Sequence, residues 1–296
     1  MAYPEKRTQR WFEREYDFSS QQENWYFGSK LKGRRQIWKE ATRSNALFLS
    51  TAIQLNSEQL KPVFDWFSEK LSLRKDRELN FSSTFHRAKT ELDQKKILEF
   101  INAADLSIAD LQIETRKLSM EELPNDMSQT VKEEFKEQFK GAEVTRVKML
   151  HDVIGDNQKK VALSLQDESD GTQRLFELAG SWLDALDEGT VLGIDELDSS
   201  LHPKLVRFLI DLFNNPQLNQ HHAQLILTTH DTTVLDREIF RRDQIWFVEK
   251  NEENATQLYP LSDFNPRKKE ALQKGYLNGR YGALPYLKKL RKIYGN

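Results

Sequence analysis

The sequence predicts an α/β fold, a sheet with crossover helices, and three observations lead to this prediction. After Gly141, short apolar runs alternate with helical patterns, which is typical of strands joined by helices. Residues 172–187 place apolar side chains on one stripe of a helix, and Gly189 follows where a helix can end. The chain has 38% hydrophobic and 30% charged residues, a mixture that supports a folded core. Its 296 residues favour two units, or one large domain with an insertion.

The first half of the chain divides into two predicted regions. Residues 1–57 combine short strand-like pieces with a helix over 36–55. Residues 58–143 are highly charged, with apolar side chains at helical spacings of three and four. A Leu-Pro-Asn-Asp break at 123–126 precedes a further amphipathic helix over 131–139. We therefore predict a mainly helical insertion or arm over 58–143.

Residues 144–296 form the predicted lobe in which strands and helices alternate. Its apolar runs are short and end in polar residues, as buried strands do. The predicted strands are 144–150, 161–165, 190–194, 223–228 and 244–249, and the main predicted helices are 172–187 and 204–213.

The composition excludes several classes of protein. The chain has no cysteine, so it has no disulfide framework, thiol nucleophile or thiolate metal site. No apolar run approaches the roughly 18 residues of a membrane helix, and the first residues do not resemble a signal peptide. We therefore expect a cytoplasmic protein that does not act in a membrane.

Charge is distributed unevenly, although the formal net charge is only -2. Residues 166–200 hold ten acidic side chains and one basic one, whereas residues 265–296 hold nine basic and one acidic. Both stretches can be solvated faces. The more specific hypothesis is that the acidic stretch contains a magnesium site and that the basic tail binds a polyanion or an acidic partner. A tail helix docked through Leu284, Leu287 and Leu290 is the alternative for the basic stretch.

Polar residues of a reactive kind follow two of the predicted strands. Asp195 and Glu196 follow strand 190–194, and His230 follows strand 223–228. Ligands of open α/β sheets bind beyond the carboxyl ends of the strands. There Asp195 can reach a magnesium ion, Glu196 can orient or deprotonate a water, and His230 can stabilise a phosphoryl group in transfer. The alternative is an acidic turn and a histidine that caps a strand.

The start of the predicted helix at 172 offers a second candidate site. Ser169 can cap the helix, and Gly171 lets a phosphate approach free backbone N–H groups. By itself this pattern is no more than a structural N-cap followed by a glycine.

Three segments in a fixed order carry a family resemblance. They are Ser-Asp-Gly-Thr-Gln at 169–173, Val-Leu-Gly-Ile-Asp-Glu-Leu-Asp-Ser-Ser-Leu-His-Pro at 191–203, and Leu-Ile-Leu-Thr-Thr-His-Asp at 225–231. In this order they resemble the C-terminal lobe of ABC-class ATPases, and more narrowly the bacterial AAA-type ATP-binding proteins related to SMC-like and OLD-family proteins. The resemblance is strong over 144–250 and weaker elsewhere. It implies an incomplete ABC-type nucleotide-binding lobe, with ATP and Mg²⁺ as cofactors.

The resemblance also implies a role for each matching residue. Asp195 corresponds to the Walker B magnesium residue, Glu196 to the catalytic glutamate and His230 to the switch histidine. The residues that correspond to the signature motif and the D-loop, which contact the opposite subunit, are Ser169, Gly171, Thr172, Ser199 and Ser200. Asp170 stands where the family's signature has its first glycine, which places a negative charge near the expected phosphate.

One element of the family is missing from the sequence. No Gly-x-x-x-x-Gly-Lys-Ser/Thr segment, the Walker A loop whose backbone donors and lysine hold the phosphates, occurs in the 296 residues. Gly28 and Gly33 have the glycine spacing, but Arg34 and Arg35 stand where Lys-Ser/Thr is required, and we expect no strand-to-helix context there. We therefore expect the chain to be the C-terminal portion of a longer ATPase, or one part of a split one.

Other candidates are weaker. His221 and His222 stand in a polar loop, where a metal site would need further ligands. His151 follows a strand and suits either the site or the core. Asp195 and Asp198 could be mistaken for the acidic pair of a TOPRIM-type nuclease, but the 46 residues after Lys250 are too few for that domain.

The resemblance implies ATP binding and hydrolysis in a system linked to phage defence or restriction. The expected partners are a homodimer mate or a subunit that carries the Walker A loop, and a nuclease or other effector. Three hypotheses follow: a fragment or split subunit, a non-hydrolysing partner, or a nucleic-acid-binding module that uses the basic tail and the arm. Retention of both Glu196 and His230 disfavours the second, because a scaffold has no chemical need for that pair.

Overall fold

The computed structural model describes residues 9–74, 81–104, 106–117, 143–267 and 270–285. The chain forms two compact units, residues 1–72 and 73–296. The predicted break at 123–126, the predicted helix at 131–139 and the tail beyond 285 lie outside the described residues.

The first unit pairs a hairpin with short helices. Its elements are β1 (Phe12–Asp17), β2 (Gln22–Phe27), α1 (Arg35–Ala41), α2 (Phe48–Gln54) and α3 (Lys61–Asp65), and a π-helical turn follows over Trp66–Lys70. The two strands are antiparallel. Phe48 is buried against Phe12, Trp25, Phe27 and Trp38, with ring centroids 4.6–6.3 Å apart. Aromatic packing therefore forms this small core.

The single helix predicted over 36–55 is wrong, because α1 and α2 are separated by residues 42–47. The Thr42 hydroxyl donates to the Trp38 carbonyl, and the Thr42 backbone is extended. The Arg14 guanidinium donates to the carbonyls of Ser44 and Ala46, each at 2.8 Å. These backbone carbonyls accept from side chains and not from the N–H groups of a continuing helix. The predicted helix over 36–55 is therefore interrupted.

The second unit begins with helices and an antiparallel sheet. Its first elements are β3 (Leu71–Arg74, which begins at the boundary), α4 (Ser82–Arg87), α5 (Glu91–Ala103), β4 (Asp110–Lys117), β5 (Glu143–Val153) and β6 (Asp156–Ser164). The antiparallel sheet has the order β4-β5-β6. Within its described residues, the region 58–143 thus holds strands β3 and β4 besides its helices, and the helical spacing did not predict these strands.

The longest helix of the described residues, α6 (Asp170–Glu188), crosses the core of this unit. Ser169 caps it, and Gly189 ends it in the left-handed conformation with φ 64°. Gly180 faces α4 so closely that a Cβ would lie 2.4 Å from the Thr84 nitrogen. The buried Thr84 hydroxyl also donates to the Phe176 carbonyl and accepts from the Gly180 N–H. The glycine therefore allows the two helices to touch.

A parallel pair of strands follows α6. These are β7 (Val191–Ile194) and β8 (Gln224–Leu227), joined through α7 (Pro203–Asn214), and the sheet order is β3-β7-β8. All four residues of β7 are buried, as expected for a central parallel strand. Pro203 opens α7 and the His202 ring nitrogen caps it. The carboxyl ends of β7 and β8 therefore lie side by side.

The last elements are a hairpin and a short helix, β9 (Trp246–Lys250), β10 (Thr256–Pro260) and α8 (Leu272–Leu277). The rings of Phe247, Tyr276 and Tyr281 stack, with centroids 5.5–5.8 Å from Phe247. Tyr281 is fully buried. The Gly-Arg-Tyr-Gly-Ala segment at 279–283 therefore belongs to a small aromatic core. Within the described residues, no helix has both the length and the apolar character for a membrane crossing.

Candidate functional site

The carboxyl ends of β7 and β8 are joined by the side chain of Thr228. Its hydroxyl donates to Oδ1 of Asp195 at 2.6 Å and accepts from the Glu196 N–H at 2.8 Å. Its carbonyl accepts from the Leu197 N–H at 3.0 Å, and the Asp195 N–H donates to the Arg74 carbonyl of β3. Asp195 is exposed. Its carboxylate is thus fixed at the end of the sheet and faces solvent.

Glu196 and His230 lie opposite each other across these strand ends. Nε2 of His230 is 3.8 Å from Oε1 of Glu196, and the two side chains are 86% and 46% exposed. Glu196 has φ 51°, a left-handed conformation that non-glycine residues rarely adopt and that often marks functional sites. The structure therefore brings together all three residues that were predicted from the strand ends.

The turn after β7 is tied to the His230 loop by Asp198. The Asp198 carboxylate accepts from the His230 N–H, at 3.2 Å and 3.3 Å for its two oxygens. The Ser199 N–H donates to the Glu196 carbonyl at 3.1 Å. Asp198 therefore positions the backbone of His230 from the opposite strand end.

The start of α6 lies against the same turn. A Cβ on Gly171 would lie 3.2 Å from the Ser200 carbonyl oxygen, and Ser200 itself has φ 58°. The Ser169 hydroxyl accepts from the Thr172 N–H at 3.2 Å and is 2.9 Å from the Thr172 hydroxyl. Thr172 is buried, whereas Ser169 and Asp170 are exposed. The predicted signature and D-loop residues are therefore neighbours within one chain.

The other histidines have local roles. Nε2 of His151 is 2.7 Å from Oε1 of Glu168, just before the cap of α6. His221 and His222 are exposed. In the described part of the chain, no group of three or more histidine, aspartate or glutamate side chains is arranged as a metal cage. A single exposed carboxylate such as Asp195 still suits Mg²⁺, which keeps several waters and binds through one or two carboxylates and substrate phosphates.

The expectation that Gly28–Arg35 lacks a strand-to-helix context is wrong, because this segment connects β2 to α1. Three of its backbone donors, however, bind protein atoms. The Gly28 N–H donates to the Trp11 carbonyl, the Leu31 N–H to the Gly28 carbonyl, and the Lys32 N–H to Oε1 of Gln59. Leu31 is also buried. A phosphate loop needs free N–H groups, so this segment does not suit that role.

Thr228 and the structural role of Asp198 were missed by sequence reasoning. Both residues stand inside the segments that carry the resemblance. The available signal was the threonine directly after the apolar run of β8, opposite the Asp-Glu pair. Its importance depends on the pairing of β7 with β8, which the sequence does not specify.

Known proteins include a matching family and a distant structural likeness. Residues 3–236 match the profile of a family described as an AAA domain, putative AbiEii toxin, Type IV TA system. The chain also aligns with the crystal structure of the SmcHead bound to the C-winged helix domain of ScpA, at 14% identity and a TM-score of 0.34. This alignment covers 77% of the present chain and 53% of the other, so the chain spans about half the length of that protein. No curated protein sequence matches the chain.

Proposed function

Since the chain belongs to this family of AAA-type ATPases, we propose that it supplies the hydrolytic half of an ATP site in a phage-defence or restriction-associated system. The observation that supports this most is the convergence of Asp195, Glu196 and His230 on the ends of two adjacent parallel strands. Glu196 has a left-handed backbone, and the backbone of His230 is held by Asp198. Together with Asp195 they lie where α/β sheets bind their ligands.

Each of these residues has a role in the proposed mechanism. Glu196, whose side chain is partly exposed, accepts a proton from the attacking water as a general base. His230, which is exposed and 3.8 Å from Glu196, stabilises charge on the γ-phosphate. Asp195, held by Thr228, would hold magnesium through its remaining carboxylate oxygen. Magnesium, when bound, neutralises charge on the phosphate oxygens.

The site requires a second contribution, because the 296 residues contain no Walker A sequence. We propose that a partner subunit or a preceding segment carries that loop. Ser169, Gly171 and the Ser199–Ser200 turn would then contact the neighbour's nucleotide. Their mutual contact through Gly171 and the Ser200 carbonyl supports this grouping. A nuclease or other effector would respond to the cycle of ATP binding and hydrolysis.

The substitution Glu196→Gln tests the proposed general base. In a complex that contains the Walker A loop, it should lower ATP hydrolysis by roughly 10²- to 10⁴-fold and leave ATP binding unchanged, because an amide cannot accept the proton. Glu188→Gln, which makes the same change at an exposed position near the end of α6, is the matched control and should keep the parental rate. Equal turnover by Glu196→Gln and the parent would overturn the assignment.

A further inference from the structure

A cleft that is rich in arginine lies in the last part of the chain. It has a volume of about 370 Å³ and lies beside the entry to β9. Its lining residues are Arg237, Phe240, Arg241, Arg242, Asp243, Ser262 and Asn265. We propose that this cleft binds the backbone phosphates of single-stranded nucleic acid. None of its residues belongs to the proposed ATP site, so this inference is independent of that function.

Two of the three arginines hydrogen-bond to backbone carbonyls and not to carboxylates. Arg237 donates to the carbonyls of Pro266 and Arg267, and Arg242 donates to the Pro266 carbonyl at 3.2 Å. Neither forms an ion pair with a carboxylate among the described residues, and the buried Nε of Arg237 has no hydrogen-bond partner there. A guanidinium has five N–H donors, so donors remain for a ligand. Phosphate oxygens match the planar fork of guanidinium donors, as carboxylates do.

The cleft is built from contacts that hold its wall in place. Pro266, whose carbonyl receives both guanidiniums, is buried. Arg241 forms a bidentate pair with Asp243, at 3.1 Å and 2.9 Å. Asn265 adopts φ 45°, which turns the chain at the edge of the cleft. The arginines are therefore ordered before any ligand binds, which lowers the entropy cost of binding.

The choice of a single-stranded partner depends on Trp246. Its side chain is 52% exposed, and its indole N–H donates to the carbonyl of the cleft residue Asp243 at 3.2 Å. An exposed aromatic ring beside a row of cations can stack an unpaired base while the cations hold the phosphates. Val248 and Leu258, which pair across the hairpin, are also exposed and extend this apolar face. Stacking requires unpaired bases, so the pattern favours a single strand over a duplex.

The experiment measures fluorescence anisotropy of a labelled 30-mer of thymidine with the full chain, without nucleotide, over a range of salt concentrations. The parent should bind the oligomer. The double variant Arg237→Gln/Arg242→Gln should bind about 10-fold more weakly, and the salt slope should fall by about 1.4 because two phosphate contacts are lost. Trp246→Ala should weaken binding at least about 5-fold, whereas Trp246→Phe, which keeps an aromatic ring, should retain most of it.

The matched control is Lys159→Gln/Lys160→Gln, which removes two adjacent positive charges from an exposed part of β6. It should bind the oligomer within about 2-fold of the parent, because salt-dependent affinity is expected only from charges that contact phosphate. Circular dichroism of each variant confirms that the fold is kept. Equal binding by the cleft variant and the parent, an equal loss in the lysine control, or tighter binding of duplex DNA than of the single strand would each overturn the proposal.

Discussion

At the residue scale, the candidate ATP site depends on a threonine as well as on its charged groups. The Thr228 hydroxyl donates to Asp195 and accepts from the Glu196 N–H, so one oxygen atom fixes two neighbouring residues of the opposite strand end. A short hydroxyl between two adjacent strands can do this because parallel strands lie about 4.8 Å apart. Thr228 is thus a positioning residue for the Asp195 carboxylate and for the Glu196 backbone.

Thr228→Val tests this role. Valine keeps the shape and loses both hydrogen bonds, each worth about 1 kcal/mol, so ATP hydrolysis in the completed complex should fall about 3- to 10-fold or more. The control is Thr229→Val, which removes a hydroxyl that accepts from the nearby Asp231 N–H. A steady-state ATPase assay compares them. Equal rates for the two variants would show that Thr228 does not position the site.

At the element scale, the contact between α4 and α6 supports the helix whose first turn enters the site. Gly180 is the point of closest approach, and any Cβ there would meet backbone atoms of Ser83 and Thr84. Backbone cannot rotate aside as a side chain can. The packing of the two helices therefore requires a glycine at a position where helix propensity alone would favour alanine.

Gly180→Ala should therefore destabilise the protein, although alanine is the better helix former by about 1 kcal/mol. We expect a net loss of about 1–3 kcal/mol in the free energy of unfolding, the usual cost of overpacking. Urea denaturation followed by circular dichroism measures it. Glu188→Ala, at an exposed position of the same helix, should change stability by no more than about 0.5 kcal/mol. A neutral or stabilising Gly180→Ala would contradict the close packing.

The stability of the aromatic core around β9 and β10 is expected to depend on pH. Burial and the neighbouring Glu270 raise the pKa of Tyr281 to about 12, and the Tyr281 hydroxyl donates to Glu270 at 2.5 Å. Burial and Glu249 likewise raise the pKa of Tyr259 to about 12. An unfolded tyrosine loses its proton near pH 10, whereas these folded ones keep it. Their stabilising contribution is therefore complete below pH 10 and is lost between pH 10 and about 12.

Tyr281→Phe separates this effect from general alkaline unfolding. The variant should lose about 1 kcal/mol of stability at pH 8, because the hydrogen bond to Glu270 is gone. From pH 10 to pH 12 it should lose less stability than the parent, because one of the shifted groups is absent. Thermal unfolding at several pH values measures both changes. A parallel decline of the two proteins above pH 10 would argue against a raised pKa of Tyr281.

At the scale of the whole molecule, the chain has the hydrolytic residues of its proposed site without a phosphate loop. The loop between β2 and α1 has the right glycine spacing, yet its N–H groups at 28, 31 and 32 donate to protein acceptors. Most of the affinity for triphosphate in such sites comes from free backbone donors and a lysine. The full chain is therefore expected to bind ATP only together with a partner that carries these groups.

Isothermal titration of the full chain with Mg-ATP should give no measurable heat of binding. Addition of a polypeptide that contains Gly-x-x-x-x-Gly-Lys-Ser/Thr, encoded upstream of or beside this chain, should restore binding. The control is the same polypeptide with its Walker A lysine changed to alanine, which should not restore it. Tight ATP binding by the isolated chain would contradict the need for a second contribution.

Much of the second unit could be predicted from the sequence, since the strands at β5, β7, β8 and β9 and the helices α6 and α7 follow its apolar periodicity. Single residues also predicted where these helices begin and end. Ser169 caps the start of α6, Gly189 ends α6, and Pro203 opens α7. Strands β3 and β4 were not predicted. The partner of β4 is β5, which begins 26 residues after β4 ends, and that pairing has no local signature. The break between α1 and α2 depends on Arg14, a residue from another element.

The sequence by itself determined the types of residue at the strand ends and their order along the chain, because apolar runs and the polar residues that follow them are local patterns. Only the tertiary structure decided that β7 and β8 are neighbours, that Thr228 joins Asp195 to Glu196, and that Gly171 lies against Ser200. It also gathered the arginines of 237–242 and the loop at 262–267 into one cleft. These contacts join residues that are distant in the chain, so they follow from packing of the whole core and not from any one segment.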